Sequence, residues 1–182
     1  MGFCEEISWR WHMNDTRGEL VNSSITYFAY GSNMSSRRLK DRDRAPSAEA
    51  KGRARLPDWA LVFNKRGRDG SAKANIQPER GKEVWGVLFD LPCSELKNLD
   101  RVEGLGKGYE HHWVEVERDG SGPVTALTYV GTDLADGLRP CDWYKDYVVE
   151  GAQEHGLPPY YICALKQVPT WPGGRRSAFK KE

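Results

Sequence analysis

The hydrophobic pattern opens on a short run, Ile25–Tyr30, that ends abruptly in Gly31-Ser32-Asn33. The run predicts a strand, and the polar, charge-rich segment Ser35 to Asp41 after it predicts a helix. Ala48–Leu56 reads as a second strand. Lys51, Arg53 and Arg55 fall on one face by the two-residue period, with Gly52 and Ala54 on the other. Pro57-Asp58 interrupts it, and Trp59–Phe63 resumes with Trp59, Leu61 and Phe63 on one side. Asn64 to Ser71 reads as a loop. Ala72–Gln77 and Glu83–Asp90 read as a strand pair joined by Pro78-Glu79-Arg80-Gly81. Gly86, inside the second of these strands, marks a close approach by another group or a bend.

The pattern then changes period. Pro92 begins a helix with Ser94 as its N-cap and Leu96 and Leu99 facing inward, and Glu103-Gly104 ends it. Tyr109–Glu117 and Val124–Val130 form a hairpin around Asp119-Gly120-Ser121-Gly122-Pro123. Asp142 to His155 is an amphipathic helix with Tyr144, Val148 and Ala152 in one stripe. Gly156 and Pro158 close it, and Pro159–Gln167 forms a last short helix. Strands outnumber helices and do not alternate with them. This excludes a doubly wound sheet and predicts an α+β domain on a closed or half-closed antiparallel sheet. The domain is expected over 26–170. Residues 1–25 form an N-terminal extension in which Trp9, Trp11 and Met13 alternate, and 171–182 form a basic C-terminal tail.

Composition narrows the function classes. Charged residues make up 29% of the 182-residue chain, mean hydropathy is -0.71, and no apolar run nears the roughly 20 residues of a spanning helix. No membrane association is expected. Lys plus Arg (27) and Asp plus Glu (26) nearly cancel, so no global field favours nucleic acid. The basic stretch Arg37–Arg55 reads as a solvated face, and no nucleic-acid partner is expected. Cys4, Cys93, Cys141 and Cys163 are widely spaced thiols. No signal-peptide pattern precedes the domain, so a cytoplasmic location is expected.

Two places carry candidate chemistry. A strand that turns onto a helix start leaves backbone N–H groups aimed at one point, which suits a carboxylate, a phosphate or a polarised carbonyl. Gly31 lets the backbone approach such a group. Glu103 sits at a helix C-terminus, where its carboxyl meets the negative end of the dipole, and burial would add to the cost of its charge. Both effects favour a group that exchanges protons near neutrality, although the spacing alone equally suits an exposed glutamate beyond a helix. Tyr30, Tyr109, Tyr129 and Tyr144 fall near turns or strand ends and are either phenol donors or packing residues. Gly104-Leu105-Gly106-Lys107-Gly108 follows a helix and precedes a strand, the wrong order for a dinucleotide loop. His111 and His112 point to opposite faces of a strand and cannot share a metal.

Together these motifs resemble the gamma-glutamylcyclotransferase (AIG2-like) family. The match runs in order through Tyr27-Phe28-Ala29-Tyr30-Gly31-Ser32-Asn33-Met34 and Gly52-Arg53-Ala54-Arg55-Leu56-Pro57-Asp58-Trp59-Ala60-Leu61-Val62-Phe63-Asn64. It continues through Glu83-Val84-Trp85-Gly86-Val87-Leu88-Phe89, Leu99-Asp100, Glu103-Gly104, Tyr144, Gly151-Ala152 and Gly156-Leu157-Pro158. The resemblance implies a small mixed-topology β-barrel with flanking helices and a cavity at one end. It implies cleavage of a γ-glutamyl amide to 5-oxoproline and a free amine or amino acid, with no metal or cofactor. The implied catalytic acid/base is Glu103. Substrate binding is implied for Tyr30, Gly31, Ser32, Asn33, Tyr109, Tyr129 and Tyr144. The expected partner is a small γ-glutamyl compound, such as those of glutathione metabolism, and the expected state is a monomer or homodimer. A non-catalytic binding or regulatory module of the same fold is the alternative. The leaving half of the substrate stays open.

Overall fold

The computed structural model describes residues 23–118 and 121–171. The extension with Trp9, Trp11 and Met13, residues 119–120 of the hairpin turn and the tail beyond Trp171 lie outside the described residues. The strands are β1 (Ser24–Ala29), β2 (Glu49–Arg66), β3 (Ala72–Pro92), β4 (Tyr109–Arg118) and β5 (Pro123–Gly131). The helices are α1 (Ser36–Leu39), α2 (Cys93–Glu103), α3 (Asp142–Glu154) and α4 (Pro159–Gln167). The strands close into a barrel in the order β1-β3-β2-β4-β5. Neighbours pair antiparallel, except that β1 meets β5 in parallel at Tyr27 and Leu127. The α+β barrel expectation is therefore met. Phe28, Phe89, Leu88, Leu91, Leu99, Leu127, Val84, Val87 and Val116 fill the core.

The long pair β2–β3 departs from the expectation. Neither strand is divided in two. Trp59 pairs with Pro78 and Pro57 with Glu83, so Asp58 alone opposes the four-residue excursion 79–82 of β3. The two local turn signals cancel in one bulge instead of making a separate hairpin. Asp58 adopts φ 59°, and its Oδ1 accepts the Gly81 N–H at 2.8 Å. The real reversal lies at Gly67–Ser71, where Asp69 Oδ1 accepts from both the amide and the hydroxyl of Ser71.

Other boundaries shift locally. The helix expected over Ser35 to Asp41 is a one-turn 3-10 helix at Ser32–Met34 followed by the short α1. Pro92, not Ser94, occupies the N-cap of α2, because proline's fixed φ suits a helix entry without a side-chain cap. Gly86 is the close approach expected of it: a Cβ there would lie 2.4 Å from the Ala29 carbonyl oxygen. Gly151 does the same for α3, whose backbone packs directly on Met34 and Ser35. Buried Tyr144, Val148 and Ala152 form the α3 stripe. Cys93, Cys141 and Cys163 are free thiols. Among the described residues no helix is long and apolar enough to cross a membrane.

Candidate active site

One end of the barrel is left open as a narrow cleft of about 30 Å³, below the roughly 300–1,000 Å³ of drug-sized ligand pockets. Its floor is the turn that follows β1. A Cβ on Gly31 would stand 3.0 Å from Ala74 Cβ and 3.4 Å from the Tyr144 hydroxyl, so a side chain here would intrude on the space the turn encloses. The 3-10 turn uses the carbonyls of Gly31 and Ser32 to hold Met34 and Ser35. The amides of Gly31, Ser32 and Asn33 donate to no backbone carbonyl among the described residues.

Glu103 closes the cleft from the other side. It is the last residue of α2, and Gly104 stops the helix in the left-handed conformation at φ 73°, with its amide returning to the Asp100 carbonyl at 2.9 Å. The carboxyl is fixed through one oxygen. Oε1 accepts from Asn33 Nδ2 at 3.1 Å and from an Arg44 guanidinium N–H at 2.9 Å. Oε2 has no hydrogen bond to a described residue. The Arg44 and Glu103 side chains are only 15% and 17% exposed. Arg44 also donates to Asn33 Oδ1 at 3.1 Å, and Asn33 Nδ2 donates to the Tyr27 hydroxyl at 3.0 Å. Asn33, Arg44, Glu103 and Tyr27 thus form one hydrogen-bonded unit. Glu103 thus faces a guanidinium as well as the C-terminal end of α2.

The tyrosines are walls whose hydroxyls are already engaged. Tyr30 donates to the Tyr129 carbonyl, Tyr109 to the Ala74 carbonyl at 3.0 Å, and Tyr129 to Asp100 Oδ1 at 2.6 Å. Each has spent its one proton, so none of these three can donate to a ligand without breaking a protein bond. Tyr144 instead accepts the Ala74 amide at 3.0 Å, and Tyr27 accepts from Asn33. Both phenols act as acceptors here, and the Ser32 hydroxyl also bonds that of Tyr144. Burial pushes all five phenols above the ordinary tyrosine value of 10.0, and the charge on Glu103 adds to this. They remain neutral at ordinary pH. Asp100, one turn before Glu103, also accepts from His111 Nε2 at 2.7 Å and so anchors the Tyr129 wall. His111 faces that wall, while His112 on the opposite strand face is exposed.

The fold brings every sequence-derived candidate to this cleft: Tyr30, Gly31, Ser32, Asn33, Glu103, Tyr109, Tyr129 and Tyr144 all line it. Tyr27 and Ala74 line it as well and were not among the candidates. Tyr27 stands in the same sequence stretch as Tyr30, and strand alternation puts it on the face opposite Phe28, which was a usable signal. Arg44 was missed without any signal to find it. It lies in an irregular segment, and its contact with Glu103 spans 59 residues.

Comparison with known proteins adds independent findings. A family model described as the AIG2-like family matches residues 83–165. The gamma-glutamylcyclotransferase of Homo sapiens is 36% identical over 151 residues, covering 80% of this chain and 79% of that protein. That of Mus musculus is 34% identical over the same shares. A solved structure titled "Gamma-glutamyl cyclotransferase" superposes with a TM-score of 0.76 at 33% identity, covering 82% of this chain and 90% of that one.

Proposed function

The chain is an enzyme of the gamma-glutamylcyclotransferase family, and from that premise we propose that it splits a γ-glutamyl amide by internal cyclisation, with Glu103 carrying the proton and 5-oxoproline as product. One observation carries the role of Glu103. On a described wall otherwise made of neutral phenols, small residues and an amide, it is the one side chain able to cycle a proton. Its Oε1 is held by Asn33 and Arg44, which leaves Oε2 for the substrate.

The chemistry needs little else. A γ-glutamyl group carries its own nucleophile, the α-amine, whose attack on the γ-carbonyl carbon closes a five-membered ring. The wall of tyrosines folds the substrate so that nitrogen and carbon approach to about 3–3.5 Å, where effective molarity becomes very large. The new C–N bond forms as the γ-carbonyl oxygen takes up negative charge. The amides at Gly31 to Asn33, with the Tyr144 hydroxyl beside them, are placed to receive that charge or the α-carboxylate. Glu103 takes the proton lost by the attacking amine and returns it to the leaving nitrogen as the original amide C–N bond breaks. The products are 5-oxoproline and a free amine or amino acid.

The test is to incubate the protein with γ-glutamyl dipeptides and measure 5-oxoproline, alongside Glu103→Gln. The expected result is release by the wild type and a loss of about 10²–10⁴-fold in kcat in the variant, with ligand affinity retained. Comparable turnover by Glu103→Gln would remove this carboxyl from the mechanism.

A further inference from the structure

A cation with no ion pair among the described residues stands beside the cleft wall. Lys65 of β2 and Lys73 of β3 are direct cross-strand partners, an arrangement in which like charges repel. Lys73 settles its charge locally, with Nζ 3.0 Å from Asp69 Oδ2 and 2.7 Å from Ser71 Oγ. Lys65 has no ion pair among the described residues, and the nearby Asp133 carboxylate is turned to Arg66 at 3.7 Å. The Lys65 ammonium instead lies 4.8 Å from the ring centroid of Tyr109, a residue of the cleft wall.

The surrounding backbone is cut to the shape of this side chain. A Cβ on Gly108 would come within 2.8 Å of Lys65 Nζ, and a Cβ on Gly131 within 2.8 Å of Lys65 Cγ. Gly131 is the cross-strand partner of Tyr109, the residue after Gly108, so the two glycines clear one continuous slot. The same Gly108 position is 3.6 Å from the Glu103 carbonyl oxygen, which sets the ammonium beside the end of α2 that carries the proton donor and acceptor. Partial burial pulls the lysine below its ordinary value of 10.5, with Lys73 adding to the effect and Asp133 and Glu103 opposing it. The molecule thus holds a partly dehydrated positive charge next to the cleft, with no direct ion pair among the described residues.

A γ-glutamyl amino acid supplies one. Its leaving half bears an α-carboxylate, whereas the leaving half of a γ-glutamyl amine or amide bears none. Resting on the cyclotransferase reading above, we propose that Lys65 determines specificity for the leaving half: its ammonium receives a carboxylate of the departing amino acid. With Lys73 already paired, the Lys65 ammonium beside Tyr109 is the one of the two lysines left to meet a carboxylate. That charge is present on substrate and transition state alike, so the discrimination falls mainly on KM and not on kcat.

The test compares γ-glutamyl-alanine with γ-glutamyl-alaninamide, which differ by this charge, in the wild type, Lys65→Met and Gly108→Ala. Methionine keeps the apolar packing on Tyr109, while Gly108→Ala keeps the lysine and pushes its head group aside. The wild type is expected to favour γ-glutamyl-alanine by about 10-fold or more in kcat/KM. The preference should shrink toward parity in both variants through a raised KM, and in the wild type as salt is added. An unchanged ratio in Lys65→Met overturns the proposal, even if that variant is less stable, because the ratio is internal to one protein. Should the wild type turn over neither compound, the cyclotransferase reading fails. Calorimetric titration with γ-glutamyl-alanine then decides the subsite: weaker binding by Lys65→Met supports it, and equal binding overturns it.

Discussion

At the residue scale, few polar atoms of the cleft are left without a protein partner. Arg44 and Asn33 both bond the same oxygen of Glu103, so the carboxyl cannot rotate without losing a charge-assisted hydrogen bond. Arg44→Met would leave a largely enclosed carboxylate facing only Asn33. We expect a loss of about 2 kcal/mol in denaturant unfolding, since hydrogen bonds to charged groups contribute about 1.5–3 kcal/mol, and a fall in kcat from the freed side chain. A kcat equal to that of the wild type would show that Arg44 does not position Glu103. Gly31→Ala tests the floor. Its φ of -111° suits alanine, so the fold should persist, but the methyl would press on Ala74 Cβ and the Tyr144 hydroxyl at 3.0 and 3.4 Å. The expected outcome is a folded protein with a melting temperature lowered by a few degrees and kcat/KM lowered about 10-fold, equivalent to about 1.4 kcal/mol.

At the element scale the cleft depends on α3 lying hard against the turn after β1. Gly151 makes that contact possible: a Cβ there would lie 2.3 Å from Met34 C and Ser35 N, both backbone atoms. Gly151→Ala must therefore push the helix outward, at a cost of about 1–3 kcal/mol, and carry the Tyr144 wall with it. Thermal melts and turnover should fall together, and the melts should fall further than in Gly31→Ala. Glu150 ties the same helix to α1, accepting from Arg37 at 3.0 and 2.7 Å and from the Ser35 hydroxyl at 3.2 Å. The Arg37 hydrogen bonds hold the Glu150 carboxyl below its ordinary value of 4.5. A carboxyl lowered on folding stabilises the native state above that ordinary value, and the contribution disappears as pH falls through the lower folded value. Glu150→Gln should thus lower the melting temperature at neutral pH and match the wild type in strong acid. A gap that persists in acid would contradict the assignment.

The elements also explain which features were legible in the chain. α4 and the β4–β5 hairpin follow from periodicity and punctuation within a few residues of themselves, as does the end of α2 at Gly104. β2 and β3 do not, because Pro57-Asp58 and Pro78–Gly81 are turn signals taken singly. Only the pairing of the two strands sets Asp58 opposite 79–82 and absorbs both in one bulge. The same limit applies to the cleft. The Gly31 turn and Glu103 were legible as a backbone nest and a helix end, whereas Arg44 and the Lys65 slot exist only through contacts between distant segments.

At the scale of the whole molecule, charge is used internally. Four of the eight cations from Arg37 to Arg55 are met by acids from other elements. Arg37 pairs with Glu150, Arg44 with Glu103 at 2.9 Å, Lys51 with Asp90 at 2.9 Å, and Arg55 with Glu83 at 3.0 Å and with Glu117. Those four cations staple helices and strands to the barrel. The barrel's open end, with its ring of fixed phenols, is instead shaped for a small acyl group.

The central claim is that this group supplies its own nucleophile and that the protein adds a grip and a proton carrier. Turnover of γ-glutamyl-alanine in ¹⁸O-labelled water, followed by mass spectrometry, tests it most directly. The account predicts 5-oxoproline and alanine in equal amounts with no ¹⁸O in either, since no water enters the bond-forming step. Glutamate carrying one ¹⁸O as the initial product would mean that water, not the α-amine, attacks the γ-carbonyl.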